Sequence, residues 1–247
     1  MRSMNNDIPT QAGVYISTLF QQKLPAWAVY HNLLHTQQTV EAAEELADGC
    51  KLAKSDTEIV LLSAWFHDAG YVDAVDGHEE KSMEIATKFL GEKNYPIERI
   101  EIVTNCIRAT KIPQSPKTLL EEIVCDADVS HLGKKRFFGR SDLLRMEMEL
   151  RTGSMFTDLE WIQRNVDFAS ASRFFTPYAR REWEGRRQKN LVALQEMSRS
   201  LQAQAEETTM TIREKRNKAA AKQEREQRPE RGIETMFRVV PKNHLDL

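Results

Sequence analysis

The sequence predicts an all-α fold, a compact helical bundle closed by a long C-terminal helix. Three observations carry that expectation. Apolar residues recur at three- and four-residue spacing through most of the chain, and no run alternates apolar and polar as a half-buried strand would. Prolines stand near the starts of these segments and glycines at their ends, as helix boundaries favour. The connections between segments are short, which favours neighbouring helices packed in one bundle.

The elements follow in order. "PAWAVYHNLLHTQQTVEAAEELADG" is expected to run as one helix from Pro25 to Gly49. "SDTEIVLLSAWFHDAG" offers Ser55 or Asp56 as N-cap and stops at Gly70. "HEEKSMEIATKFLG" places Met83, Ala86, Phe89 and Leu90 on one side. "PIERIEIVTNCIRATKI" and "SPKTLLEEIVCDADVSHLG" each open with a proline at the first-turn position. "RSDLLRMEMELR" and "TDLEWIQRNVDFASASRFF" follow, and from Pro177 a last helix keeps an apolar stripe through Leu191, Leu194, Met197 and Leu201. Beyond Leu201 the stripe fades into charge and alanine, the composition of a solvated helical spacer or a disordered one. These shifts divide the chain into a main domain over residues 10–200, a charged spacer over 201–228 and a distinct segment over 229–247.

Composition bounds the function. A chain of 247 residues, 40% hydrophobic, can bury one substantial core. The net charge of −2 removes the basic field that a general nucleic-acid binder needs, and acidic residues interleave the basic ones of the spacer. Cys50, Cys106 and Cys125 are odd in number and widely spaced, which argues against a disulfide framework and for a reducing, cytoplasmic setting. The longest apolar run, Ile59 to Phe66, is far short of the ~20 residues that span a bilayer.

Three apolar segments share an unusual ending. His31 and His35 in "YHNLLH" stand four residues apart, on one face if both are helical. His67 and Asp68 close the second segment, and Asp126 and Asp128 lie at the end of "EEIVCDAD". An isolated buried carboxylate is costly, so each pair needs a compensating partner. One histidine or aspartate of this kind is usually a satisfied core group. Three such segments converging in one bundle suggest a shared polar centre, and imidazole with carboxylate is a ligand set for a divalent ion.

The order "YHNLLH … WFHDAGY … CDADVSHLG" resembles the HD-domain metal-dependent phosphohydrolases over roughly residues 25–150. The resemblance implies metal ligation by His35, His67, Asp68 and Asp128. "YHNLLH" is also similar to the motif of class I cyclic-nucleotide phosphodiesterases, which implies that His31 donates a proton to the leaving group. Because "DADVS" matches the aspartate-containing segment of that family, Asp128 is expected as the ligand, with Asp126 supporting it. "GHEEKSMEIA" and "IRATKIPQSP" resemble a narrower HD branch. There His78 would join a second metal or cap the next helix, Glu79 would orient the attacking water, and Lys111 would hold a phosphate oxygen or face solvent. His131 is placed beside the site. The metal is left open among Mn, Mg, Fe, Ni, Co and Zn.

The segment "RGIETMFRVVPKNHLDL" resembles the opening of the membrane-effector region of Pycsar, a bacterial anti-phage system that signals through cyclic pyrimidine nucleotides. That resemblance implies a cytoplasmic domain whose membrane attachment lies C-terminal to this chain. The expected function is hydrolysis of a small-molecule phosphoester, a nucleotide by preference. The alternatives are a cyclic-nucleotide phosphodiesterase linked to Pycsar signalling and a non-catalytic nucleotide sensor acting through the C-terminal helix. The last helix also offers a surface for a homodimer.

Overall fold

The computed structural model describes residues 7–226. Ten α-helices and two short 3-10 turns make up the regular structure, and no strand occurs among the described residues. The helices are α1 (Ile8–Lys23), α2 (Leu33–Gly49), α3 (Lys54–Phe66), α4 (His78–Glu92), α5 (Ile97–Ala109), α6 (Leu119–Asp128), α7 (Phe137–Thr152), α8 (Asp158–Ala171), α9 (Pro177–Glu182) and α10 (Glu184–Glu226). The 3-10 turns cover Ala69–Val72 and Ser130–Gly133. The expected all-α class is the observed one.

α3 is the central strut. Its Val60 and Ala64 enter one apolar cluster with Leu46, Ile123 and Leu132. Its Ile59, Leu62 and Phe66 enter a second with Ile16, Leu90 and Ile107. A helix buried on both sides must be apolar nearly all round, which is why "EIVLLSAWF" lacks a polar face. It packs against α1, α2, α5 and α6. α1 was not anticipated in the sequence. It is started by Asp7, whose side chain accepts the Thr10 N–H at 3.0 Å, and it sends Ala12, Ile16 and Phe20 into the second cluster.

Several boundaries differ from expectation, and capping explains the start of α2. α2 begins at Leu33 and not at Pro25, because Asn32 Oδ1 accepts the N–H groups of Leu34 and His35 at 3.0 and 3.2 Å. α3 begins after Ala53 without a side-chain cap, and Ser55 and Asp56 lie inside its first turn. Pro96 sits at the N-cap of α5, and α6 begins after Thr118, whose hydroxyl accepts the Glu121 N–H. α8 has a full capping box from Thr157 and Glu160.

By internal contacts the chain divides into two units, Met1–Leu201 and Gln202–Leu247. The described part of the second unit is helix, exposed along its length. None of the described helices is long and apolar enough to cross a membrane. The segment 229–247, expected to open an effector region, lies outside the described residues.

Candidate metal centre

Helix ends bring the polar residues together. His35 occupies the first turn of α2, placed there by the Asn32 cap, and is 4% exposed. His67 follows the last residue of α3, and its Nδ1 lies 2.9 Å from the Ala64 carbonyl oxygen. A carbonyl can only accept, so Nδ1 carries a proton and Nε2 is the nitrogen turned inward, the one that could ligate. Asp68 comes next and leads into the 3-10 turn, which is tied to α4 by the Gly70 N–H donating to Ser82 Oγ at 2.8 Å. Asp128 is the last residue of α6.

Four donor atoms from these residues form one tight group. His35 Nε2 and His67 Nε2 are 3.3 Å apart. Asp68 Oδ2 lies 3.2 and 3.1 Å from them, and Asp128 Oδ1 lies 3.3 and 3.5 Å. Donors bound at ~2.1 Å to one ion stand about 3.0–3.4 Å apart when they are neighbours in its coordination shell. The His35, His67 and Asp128 atoms all lie within 4.8 Å of one another, a spacing that fits a single cation, and Asp68 Oδ2 stands beside both imidazoles. Asp68 Oδ2 gives a second, independent indication, since it is buried and accepts no hydrogen bond. The donor chemistry, two imidazoles and two carboxylates, suits a divalent transition ion.

The electrostatics say the same. Burial opposes ionisation of all four groups, yet the pairing overrides it. His67 is raised well above the usual imidazole range, because Asp68 and Asp128 outweigh its burial. His35 moves up for the same reason, drawn by the neighbouring carboxylates of Asp128 and Asp68. Both carboxyls are driven down despite burial, Asp68 by the His67 charge first and Asp128 by its bond to His35 first. A buried carboxylate such as Asp68 needs positive charge beside it.

A second ring of residues surrounds the group. His78, the first residue of α4, places Nε2 3.5 Å from Asp68 Oδ1 and 3.6 Å from Glu79 Oε1. Its Nδ1 faces the Val75 carbonyl oxygen at 2.8 Å, which also fixes a lone pair on Nε2. His31 precedes the Asn32 cap and so lies outside α2, contrary to the helical spacing expected for "YHNLLH". Its ring nevertheless approaches His35, with ring centroids 5.7 Å apart.

Sequence reasoning missed what holds His31. Glu147 of α7 takes His31 Nδ1 on Oε1, and its Oε2 accepts the N–H groups of Tyr30 and His31 at 2.8 and 2.9 Å. Arg140, two turns earlier on the same face of α7, donates to the Tyr30 carbonyl at 3.0 Å and lies over the Tyr30 ring. Tyr71 stacks on the His31 ring at 4.2 Å, with its hydroxyl 3.3 Å from His31 Nε2. Glu147 is separated from His31 by 116 residues, and nothing in its helix marks it out. Tyr71 stands in "WFHDAGY", where an aromatic reads as core.

Three expected residues have other partners. Asp126 turns away from the centre and accepts the Phe175 and Thr176 N–H groups, both at 2.8 Å, while burial pushes its carboxyl up to about 6. It secures the approach to α9, since a carboxylate on α6 two residues from Asp128 points to the opposite side. Lys111 pairs with Glu80 at 2.8 Å, both half exposed, and touches none of the four donors. His131 is packed beside the centre, stacked on Phe137 with Nδ1 3.4 Å from the Tyr30 hydroxyl. Burial, with His35 and Arg140 nearby, lowers it to about 3.

Residues 32–133 match the family model described as the HD domain. That segment runs from the cap of α2 to the second 3-10 turn and holds all four donor residues. No curated protein matches the chain. Among solved structures, a protein from Lactobacillus plantarum superposes with a TM-score of 0.56 at 16% identity, covering 78% of this chain and 96% of that one. A predicted HD superfamily hydrolase from an uncultured Thermotogales bacterium aligns with a TM-score of 0.48 at 21% identity, over 76% of this chain and 92% of that one. The first of these likenesses is one of fold.

Proposed function

We propose that the chain is a metal-dependent phosphohydrolase that cleaves a small phosphoester, with nucleotides as the preferred substrate class. The observation that carries this reading is the four-donor group with its unpartnered Asp68 oxygen, placed beside a histidine that a carboxylate orients. The HD match over the same residues supports it.

His35, His67, Asp68 and Asp128 would hold a divalent ion, which supplies Lewis acidity that lowers the pKa of water and screens phosphoryl charge. Glu79, 7% exposed and 3.6 Å from His78 Nε2, would accept a proton from the attacking water and fix its direction. Glu147 holds His31 by Nδ1, which leaves Nε2 as the nitrogen that can pass a proton toward a leaving oxygen. Glu147 also bonds the His31 backbone, so the ring has little freedom to leave this position. Lys111 at the rim offers a cation to an outlying phosphate if it exchanges its exposed partner Glu80, a pairing that costs little to break.

The test is metal analysis of the purified chain, then turnover of linear nucleotides, cyclic purine and pyrimidine nucleotides and aryl phosphates with each divalent ion added. One ion per chain and hydrolysis of at least one phosphoester are expected. Asp128→Asn should abolish both. A chain that takes up no ion, or that turns over none of these substrates when loaded, overturns the reading.

A further inference from the structure

We propose that Asn190 of α10 is a positioning residue for the metal centre, acting on Asp128 through the turn that follows it. The inference rests on the reading of the four donors as a metal site, and it adds a support from outside residues 32–133.

Asp128 is the least enclosed of the four donors. Its side chain is 21% exposed, against 5% for His35, 1% for His67 and 6% for Asp68. α6 also loosens where Asp128 stands, since the Val129 N–H reaches the Cys125 carbonyl only at 3.4 Å. Packing and the helix ladder therefore hold this carboxylate less firmly than its three partners. A ligand must stay within about 0.5 Å of its productive place, so the chain on either side of it has to be tied down.

Both ties lead to the C-terminal helices. On the N-terminal side, Asp126 accepts the Phe175 and Thr176 N–H groups at 2.8 Å each, just before α9. On the C-terminal side, Asn190 Nδ2 donates to the Leu132 carbonyl at 2.9 Å and to the Lys134 carbonyl at 3.1 Å. One amide thus spans the end of the 3-10 turn Ser130–Gly133, using both of its N–H bonds. Between those carbonyls lies Gly133, packed so closely on Trp183 that a Cβ would come within 2.6 Å of Trp183 Cβ and 3.0 Å of its carbonyl oxygen. The turn is pressed on Trp183 and the amide keeps it there. Asn190 is 8% exposed, so its loss would leave two carbonyls short of a donor in a buried place.

Without the amide the turn can lift, and Asp128 lifts with it. His35, His67 and Asp68 belong to α2 and to the end of α3, to which Asn190 makes no hydrogen bond. The centre then keeps three donors and loses its hold on the fourth.

The experiment titrates the whole chain, as wild type, Asn190→Ala, Asn190→Asp and Gly133→Ala, with Mn²⁺ and with Co²⁺. The visible spectrum of bound Co²⁺ and the melting temperature of the metal-free protein are recorded for each. Asn190→Asp keeps the shape and turns donors into acceptors, while Gly133→Ala moves the turn off Trp183 and leaves Asn190 in place. Asn165→Ala is the control, a buried asparagine of α8 whose amide meets Ser141 and Trp161. We expect the three variants to bind both ions ~10- to 100-fold more weakly and to change the Co²⁺ spectrum, as a lost ligand requires. Asn165→Ala should lower the melting temperature and keep the wild-type affinity and spectrum. Wild-type affinity and spectrum in the Asn190 variants overturn the inference. So does an equal loss of affinity in Asn165→Ala, which would trace the effect to general destabilisation. Failure of all three variants to fold also overturns it, since the tie would then hold the domain and not one ligand. A wild type that takes up neither ion overturns the metal reading and this inference with it. A wild type that binds both ions, with Asn190 variants that bind them equally well, overturns the positioning role alone.

Discussion

Glu147 takes three hydrogen bonds on one carboxylate, two from backbone and one from His31. Burial works against its charge, but the His31 bond and the backbone donors pull its carboxyl below the usual range. An amide cannot accept at both ends. We therefore expect Glu147→Gln to cut turnover of an alkyl phosphoester by ~10- to 100-fold, with bound metal unchanged, since no donor of the metal group touches it. A fall in metal content in that variant would mean that α7 sets the centre itself. At this scale the sequence showed the donors and hid their supports. His35, His67, Asp68 and Asp128 stand in contiguous motifs at the ends of apolar runs, where a buried charge is conspicuous. Glu147 and Arg140 act from a surface-patterned helix more than a hundred residues away, and no local pattern encodes a contact of that separation.

The helices were legible where one face is apolar, and their starts were not. The Asn32 cap looked like one polar residue among others within a long periodic run, so His31 was expected on α2. Caps are single residues, and periodicity outvotes them when the flanking chain is also apolar. α1 went unrecognised for a different reason, being short of charge contrast between its faces. The junction between the 3-10 turn at Ala69–Val72 and α4 offers a test at this scale. A Cβ on Gly70 would stand 2.1 Å from the His78 carbonyl oxygen and 2.8 Å from Lys81 Cβ. Backbone cannot yield that far, so Gly70→Ala should separate the turn from α4, at about 1–3 kcal/mol or more by chemical denaturation. Asp68 and His78 would part with it, and metal affinity should fall in the same variant. Unchanged stability would show that the two elements are not locked together as described.

For the molecule as a whole, the main unit ends at Leu201, where the apolar stripe also ends. Residues 202–226 are helical, and among those whose side chains are described nearly all are exposed, too little burial to offset the cost of ordering them. A chain shortened to end at Leu201 should keep its melting temperature, its metal and its turnover. The competing expectation is self-association through Met210 and Ile212, which are 65% and 50% exposed. Light scattering on both lengths decides: conversion of a dimer to a monomer, or a marked drop in melting temperature, would make this helix part of the folded assembly. The placement of the donors at helix ends has a further consequence. Asp68 lies just past the C-terminus of α3 and Asp128 closes α6, so each carboxylate sits at the negative pole of a helix dipole. With both imidazoles neutral, as ligation of an ion requires, two ionised side chains and two such poles leave the entrance repulsive to an anion. A phosphate group arriving first would be turned back, whereas a cation is drawn in. Binding is therefore ordered, with the ion as obligatory first ligand and the phosphoester second. Competing anions should gain affinity for the centre only as the divalent ion concentration rises.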